Sequence, residues 1–132
     1  MATYEDVKSW AEAYRIAWER ADSEAAADLF TEDSTYRSNI YEEPHRGRQG
    51  VVEYWTEVTS VQANVTVRMG EPLVAGHRAD VEFWTTMDVE GAPITLAGCL
   101  LLDFDDNAKC TALREYWQVG EGIHQPPADW GT

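Results

Sequence analysis

The chain has 132 residues, a length that suits one domain and that buries a core without disulfide or metal staples. Its 24 acidic residues against 10 basic ones give a net charge of −14, which repels phosphate backbones and anionic lipid surfaces. Neither nucleic acid nor a membrane is therefore an expected partner, while 44% hydrophobic residues with six tryptophans and six tyrosines argue for a packed globule over a disordered chain.

Thr3 and Asp6 form a variant of the capping box, and Val7, Trp10, Ala11, Tyr14, Ala17, Trp18 and Ala21 then recur at three- and four-residue steps. That spacing predicts a first helix with one apolar stripe, on which the Tyr14 hydroxyl must find a partner inside the fold or reach a cavity. Asp22-Ser23 supplies a second cap, and Ala26, Leu29 and Phe30 predict a short helix ending near Thr31 to Asp33. A brief strand, Ser34 to Ser38, leads into the polar loop Asn39 to Arg46, which carries His45. Gly47 opens a third helix with Val51, Tyr54, Trp55 and Val58 on one face.

Beyond Ser60 the apolar period changes from 3.6 to 2, the mark of sheet. Val65, Val67 and Met69 begin a strand that Gly70-Glu71-Pro72 interrupts and Leu73 to Ala75 resumes. Arg78 to Val89 and Ile94 to Phe104 form two long strands, and the turn Asp105 to Ala108, with Asn107 tolerating positive φ, leads to the last. Cys99 and Cys110 make no C-x-x-C pair and fall out of register across that hairpin, so two buried thiols are expected in place of a disulfide.

The last strand, Leu113 to Val119, alternates strictly, so Leu113, Glu115, Trp117 and Val119 share one face. A carboxylate between a leucine and a tryptophan on an inward face is costly unless partnered or protonated. Glu115 is thus either an acid/base group with a raised pKa or one half of an ion pair with Arg15, Arg37 or another cation. Trp84 has the opposite parity and lies on the outer face with Glu82, as do Arg78 and Asp80.

Three helices followed by a long antiparallel sheet predict an α+β fold, a cone-shaped barrel whose curved sheet wraps around the helices. Residues 1–120 form the single domain and 121–132 a tail, with Pro126-Pro127 and Trp130, that packs on the domain or on a partner. The stretch from Met1 to Asp6 lacks the features of a signal peptide, so a cytosolic location is expected.

Three segments in this order, Ala27 to Tyr36, Pro44 to Trp55, and Leu101 to Lys109 running into Arg114 to Trp117, resemble the nuclear transport factor 2-like superfamily. The resemblance is to the branch of ketosteroid isomerases and SnoaL-like polyketide cyclases. Ketosteroid isomerases use an aspartate base and an oxyanion hole made by a tyrosine and a protonated aspartic acid. By resemblance Tyr14 stands at the tyrosine, but Ser38 replaces the base and Leu100 the acid, so steroid isomerisation by that route is not expected.

The resemblance implies a pocket for a small apolar molecule, in which Glu115, from its inward position beside Leu113 and Trp117, and Tyr14, from its aligned place, are the expected catalytic pair. Its lining would come from Trp18, Tyr36, Ser38, His45, Tyr54, Trp55, Phe83, Thr85, Met87, Leu100, Leu113 and Trp117. The implied activity is isomerisation, cyclisation or dehydration, against a non-catalytic binding or adaptor domain. Neither cofactor nor metal is expected, since the histidines and cysteines lack ligand spacing, and a homodimer through the outer sheet face is.

Overall fold

The computed structural model describes residues 1–132. Helices α1 (Tyr4–Glu19), α2 (Ser23–Ala27) and α3 (Gly47–Thr59) accompany strands β1 (Phe30–Arg37), β2 (His45–Arg46), β3 (Gln62–Met69), β4 (Leu73–Ala75), β5 (Arg78–Val89), β6 (Ala92–Phe104) and β7 (Cys110–Glu121). The strands form one curved mixed sheet in the order β2-β1-β7-β6-β5-β3, with β4 also on β5, and the sheet does not close on itself. Only β1 and β7 run parallel. The fold is the α+β cone that the order of helix and strand patterns requires.

Helix α1 starts on a full capping box, in which the Thr3 hydroxyl accepts from the Asp6 amide and the Asp6 carboxylate from the Thr3 amide, each at 3.0 Å. Its buried face carries Val7, Trp10, Ala11, Tyr14, Ala17 and Trp18. Ala21, expected at the end of the stripe, instead leaves the helix with φ 53°. Helix α2 also stops earlier than its apolar spacing suggests. The Leu29 carbonyl accepts from the Cys110 amide at 2.9 Å, so β7 captures the chain there and Phe30 begins β1.

Strands β5 and β6 pair from Arg78↔Asp103 to Val89↔Ala92 through a two-residue turn at Glu90 and Gly91, both with positive φ. At the next hairpin Asp105 accepts from the amides of Asn107 and Lys109, each at 2.9 Å, and Ala108, rather than Asn107, takes the left-handed conformation. Gly70-Glu71-Pro72 divides β3 from β4 while both stay on β5, and the Gly70 amide donates to the Glu82 carbonyl at 2.8 Å. The core lies between the helices and the concave face, where Val7, Tyr14, Phe30, Val51, Phe83, Leu100 and Leu113 are sealed from solvent.

After β7 the chain crosses the outer face. Trp84 donates its indole N–H to the His124 carbonyl at 2.9 Å, and the Trp84 and Trp130 rings meet edge to face at 6.0 Å. The Gly131 amide donates to Glu82 Oε1 at 3.0 Å, and the Arg68 guanidinium sits 5.3 Å from the Trp130 ring centre.

Candidate functional site

A cavity of about 210 Å³ opens between the helices and the concave sheet face, lined by 15 residues of which 12 are hydrophobic. Helix α1 contributes Tyr14 and Trp18, β1 contributes Tyr36, and α3 contributes Tyr54 and Trp55. Strand β5 adds Met87, and β7 adds Glu115 and Trp117 from the inward face that alternation assigns them. The rings stand at steep angles to one another: Tyr14 against Trp55 at 86° and 5.2 Å, and Tyr14 against Trp18 at 82° and 6.1 Å.

The Tyr14 and Tyr36 hydroxyls share a buried hydrogen bond at 3.2 Å, which joins two residues 22 apart in the chain. Burial pushes both phenols well above their ordinary pKa, and the negative charge of Glu115 pushes them further. Tyr54 is raised to about 12, again by burial first and by Glu115 second. All three phenols are therefore hydrogen-bond donors at neutral pH.

Glu115 is 9% exposed, opposite Leu100 on β6 and next to the sealed Leu113. Burial alone raises its pKa from 4.5 to about 8. No cation neutralises it: Arg15 pairs with Glu12 at 2.6 Å and Glu19 at 3.0 Å, and Arg37 donates to the Glu42 carbonyl at 2.8 Å. Its carboxyl group forms no salt bridge and no hydrogen bond with the rest of the protein.

Phe83, Thr85, Leu100 and Leu113 face the same way but are completely buried and form the core beneath the cavity without lining it. The Thr85 hydroxyl and the Trp55 indole N–H have no hydrogen-bond partner. Ser38 and His45 also do not line the cavity; they brace its wall. His45 stacks on Tyr54 at 4.3 Å and approaches the Ser38 hydroxyl at 3.4 Å, and the Ser38 carbonyl accepts from the Trp117 indole at 2.8 Å.

Val58, Thr59, Gln62, Val89 and Ile94 line the cavity without having been singled out for it. Val58 lies on the apolar stripe of α3, which signals it, and Leu96 and Val119 follow from strand parity. Gln62, whose side-chain oxygen accepts from the Trp18 indole at 3.0 Å, gives no such signal. Arg78, Asp80 and Glu82 line no part of the cavity; Arg78 pairs with Asp103 at 3.4 Å.

The sequence model described as SnoaL-like domain matches residues 10–113. No curated protein matches the chain. One similar solved structure is a hypothetical protein with a ketosteroid isomerase-like fold from Catenulispora acidiphila, in complex with trimethylamine. It is 23% identical with a TM-score of 0.76 over 92% of this chain and 95% of the other. Another is the epoxide hydrolase/cyclase-like enzyme SalBIII of pyran ring formation in the polyether salinomycin, 18% identical with a TM-score of 0.79 over 92% and 99%.

Proposed function

The chain belongs to the SnoaL-like domain family of the nuclear transport factor 2-like superfamily, and from that premise we propose that it performs cofactor-independent acid/base chemistry on a small, largely apolar molecule in the cavity. The reaction is an isomerisation, cyclisation or dehydration. The observation that carries this reading is Glu115, an unpartnered carboxyl group in an apolar cavity with its pKa at about 8. Such a group is poised near neutrality, protonated to act as an acid and readily ionised to act as a base.

Tyr14 donates to the oxygen on which charge develops, and Tyr36 donates to Tyr14 in turn, so the pair stabilises an oxyanion without an ionised partner. The absence of carboxyl groups at Ser38 and Leu100 distinguishes this arrangement from that of ketosteroid isomerases. Ring closure is in keeping with the pyran ring formation of SalBIII, and the trimethylamine of the Catenulispora protein is also small and largely apolar.

One observation favours a second reading, binding without turnover: the Tyr14 hydroxyl is already engaged by Tyr36. We also propose a homodimer through the part of the outer face that the tail leaves open, where Tyr116 is 45% exposed. The test is turnover of small epoxy-alcohols and β-hydroxy ketones by the wild type and E115Q. Loss of about 10²- to 10⁴-fold in kcat is expected. Equal turnover by E115Q would remove Glu115 from the chemistry, and binding with no turnover by either protein would establish the second reading.

A further inference from the structure

Resting on the reading of the cavity as a ligand site, we propose that the molecule it selects is a small organic cation, an alkylated ammonium group held in a box of aromatic rings with Glu115 as its counter-ion. Six of the lining side chains are aromatic: Tyr14, Trp18, Tyr36, Tyr54, Trp55 and Trp117. Tyr14 and Trp55 meet edge to face at 5.2 Å, and the six rings surround the one space that they line. The faces of such rings carry partial negative charge and attract alkylammonium groups, whose methyl surface also suits an apolar wall.

Charge decides the class of ligand. No lysine, arginine or histidine lines the cavity, so an anionic ligand would meet Glu115 with nothing to balance either charge. A neutral ligand meets the carboxyl group only as a hydrogen-bond partner and leaves its ionised form unbalanced. A cation satisfies it, and the net charge of −14 draws cations toward the protein.

Binding has a proton balance. At neutral pH burial keeps the Glu115 carboxyl group protonated. A permanently charged ammonium ion entering it breaks the carboxyl O–H bond, and the proton passes to solvent, leaving a carboxylate against the cation. The titratable groups facing Glu115 are Tyr14 from α1, Tyr36 from β1 and Tyr54 from α3, all protonated throughout the range concerned. Strands β5 and β6 bring only apolar side chains such as Met87 and Leu96, and His45 stands one ring away, behind Tyr54.

The experiment titrates the full chain with tetramethylammonium chloride and with tert-butanol, a neutral molecule of similar shape, at fixed ionic strength by calorimetry and tryptophan fluorescence. Saturable binding of tetramethylammonium is expected, with affinity rising roughly tenfold per pH unit between about pH 6 and 7.5 and levelling above about pH 8. E115Q is expected to lose at least about tenfold in affinity for tetramethylammonium at high pH and to lose the pH dependence. The pH series on the wild type alone carries the same information should E115Q fold poorly. Binding of tert-butanol as tight as that of tetramethylammonium, or cation binding flat with pH, overturns the cation proposal and leaves the cavity a site for neutral ligands. Binding of neither probe overturns the cavity reading together with it.

Discussion

Glu115 costs the fold stability wherever the solvent would rather ionise it. Its carboxyl pKa is raised from 4.5 to about 8 on folding, so between those values the native state holds a proton that the unfolded chain has released. The sign follows: below about pH 4.5 the residue carries no penalty, and native stability falls with rising pH by roughly 1.4 kcal/mol per unit until about pH 8. E115Q removes this dependence, so urea denaturation should find it more stable than the wild type by a few kcal/mol at pH 8 and equal to it near pH 4. A greater stability of the wild type at pH 8 would show a hidden partner. Tyr14→Phe removes one hydroxyl from the pair with Tyr36, with an expected cost of about 1 kcal/mol in stability and about 10²-fold in kcat with KM little changed. Strand alternation made the inward placement of Glu115 and Trp117 legible in the sequence, and helix spacing did the same for Tyr14, Trp18 and Trp55. Whether an inward residue lines the cavity or lies beneath it was not legible. Phe83 and Met87 share a strand face, yet only Met87 reaches open space, because depth depends on how the sheet curves and on what α1 and α3 place above it.

Gly98 shows how the paired strands are fitted at the level of the element. It sits between Phe83 on β5 and Trp117 on β7, and an added Cβ would collide with the Tyr116 carbonyl and lie 2.7 Å from the Phe83 ring. Gly98→Ala therefore displaces either the β6–β7 ladder or a completely buried ring, and a loss of about 1–3 kcal/mol in urea denaturation is expected. The boundary between α2 and β1 marks the limit of local pattern. Leu29 and Phe30 continue a helical apolar spacing, but the partner that ends the helix is Cys110, far along the chain. A local rule cannot contain that information. Strand β2 escapes for a related reason: His45 and Arg46 are strand only because Thr35 and Tyr36 lie beside them. The turns were more readable, since positive φ and side-chain capping are local matters, although Ala108 takes the role that asparagine chemistry suggested for Asn107.

For the whole molecule, the tail of residues 122–132 ties the outer face to the bend between β3 and β4. The Glu71 amide donates to the Gly131 carbonyl at 2.7 Å, and Gly70 allows Gly131 to come so near that a Cβ there would lie 2.8 Å from its Cα. Deleting residues 123–132 uncovers Trp84 and ends its pairing with Trp130, so a loss of about 1–2 kcal/mol, a Tm lower by several degrees and a red-shifted tryptophan emission are expected. An unchanged melting curve would show the tail to be a passenger. The α+β class and the cone were legible from the order of periods along the chain, whereas the path of the tail was not, because Pro126-Pro127 and its polar neighbours carry no period. The parallel pairing of β1 with β7 also sets an order of events as the chain folds. The Trp117 indole and the Ser38 carbonyl that it meets are 79 residues apart, while β5, β6 and β7 join through short hairpins. Contacts of such long range carry the largest loop-closure cost and form slowly. The hairpins join strands that are neighbours in sequence, but the wall that sets Tyr36 near Glu115 closes only when the last strand returns to the first. A chain still emerging from the ribosome has no cavity until Cys110–Glu121 is available, and a ligand present at that moment would favour the closing step.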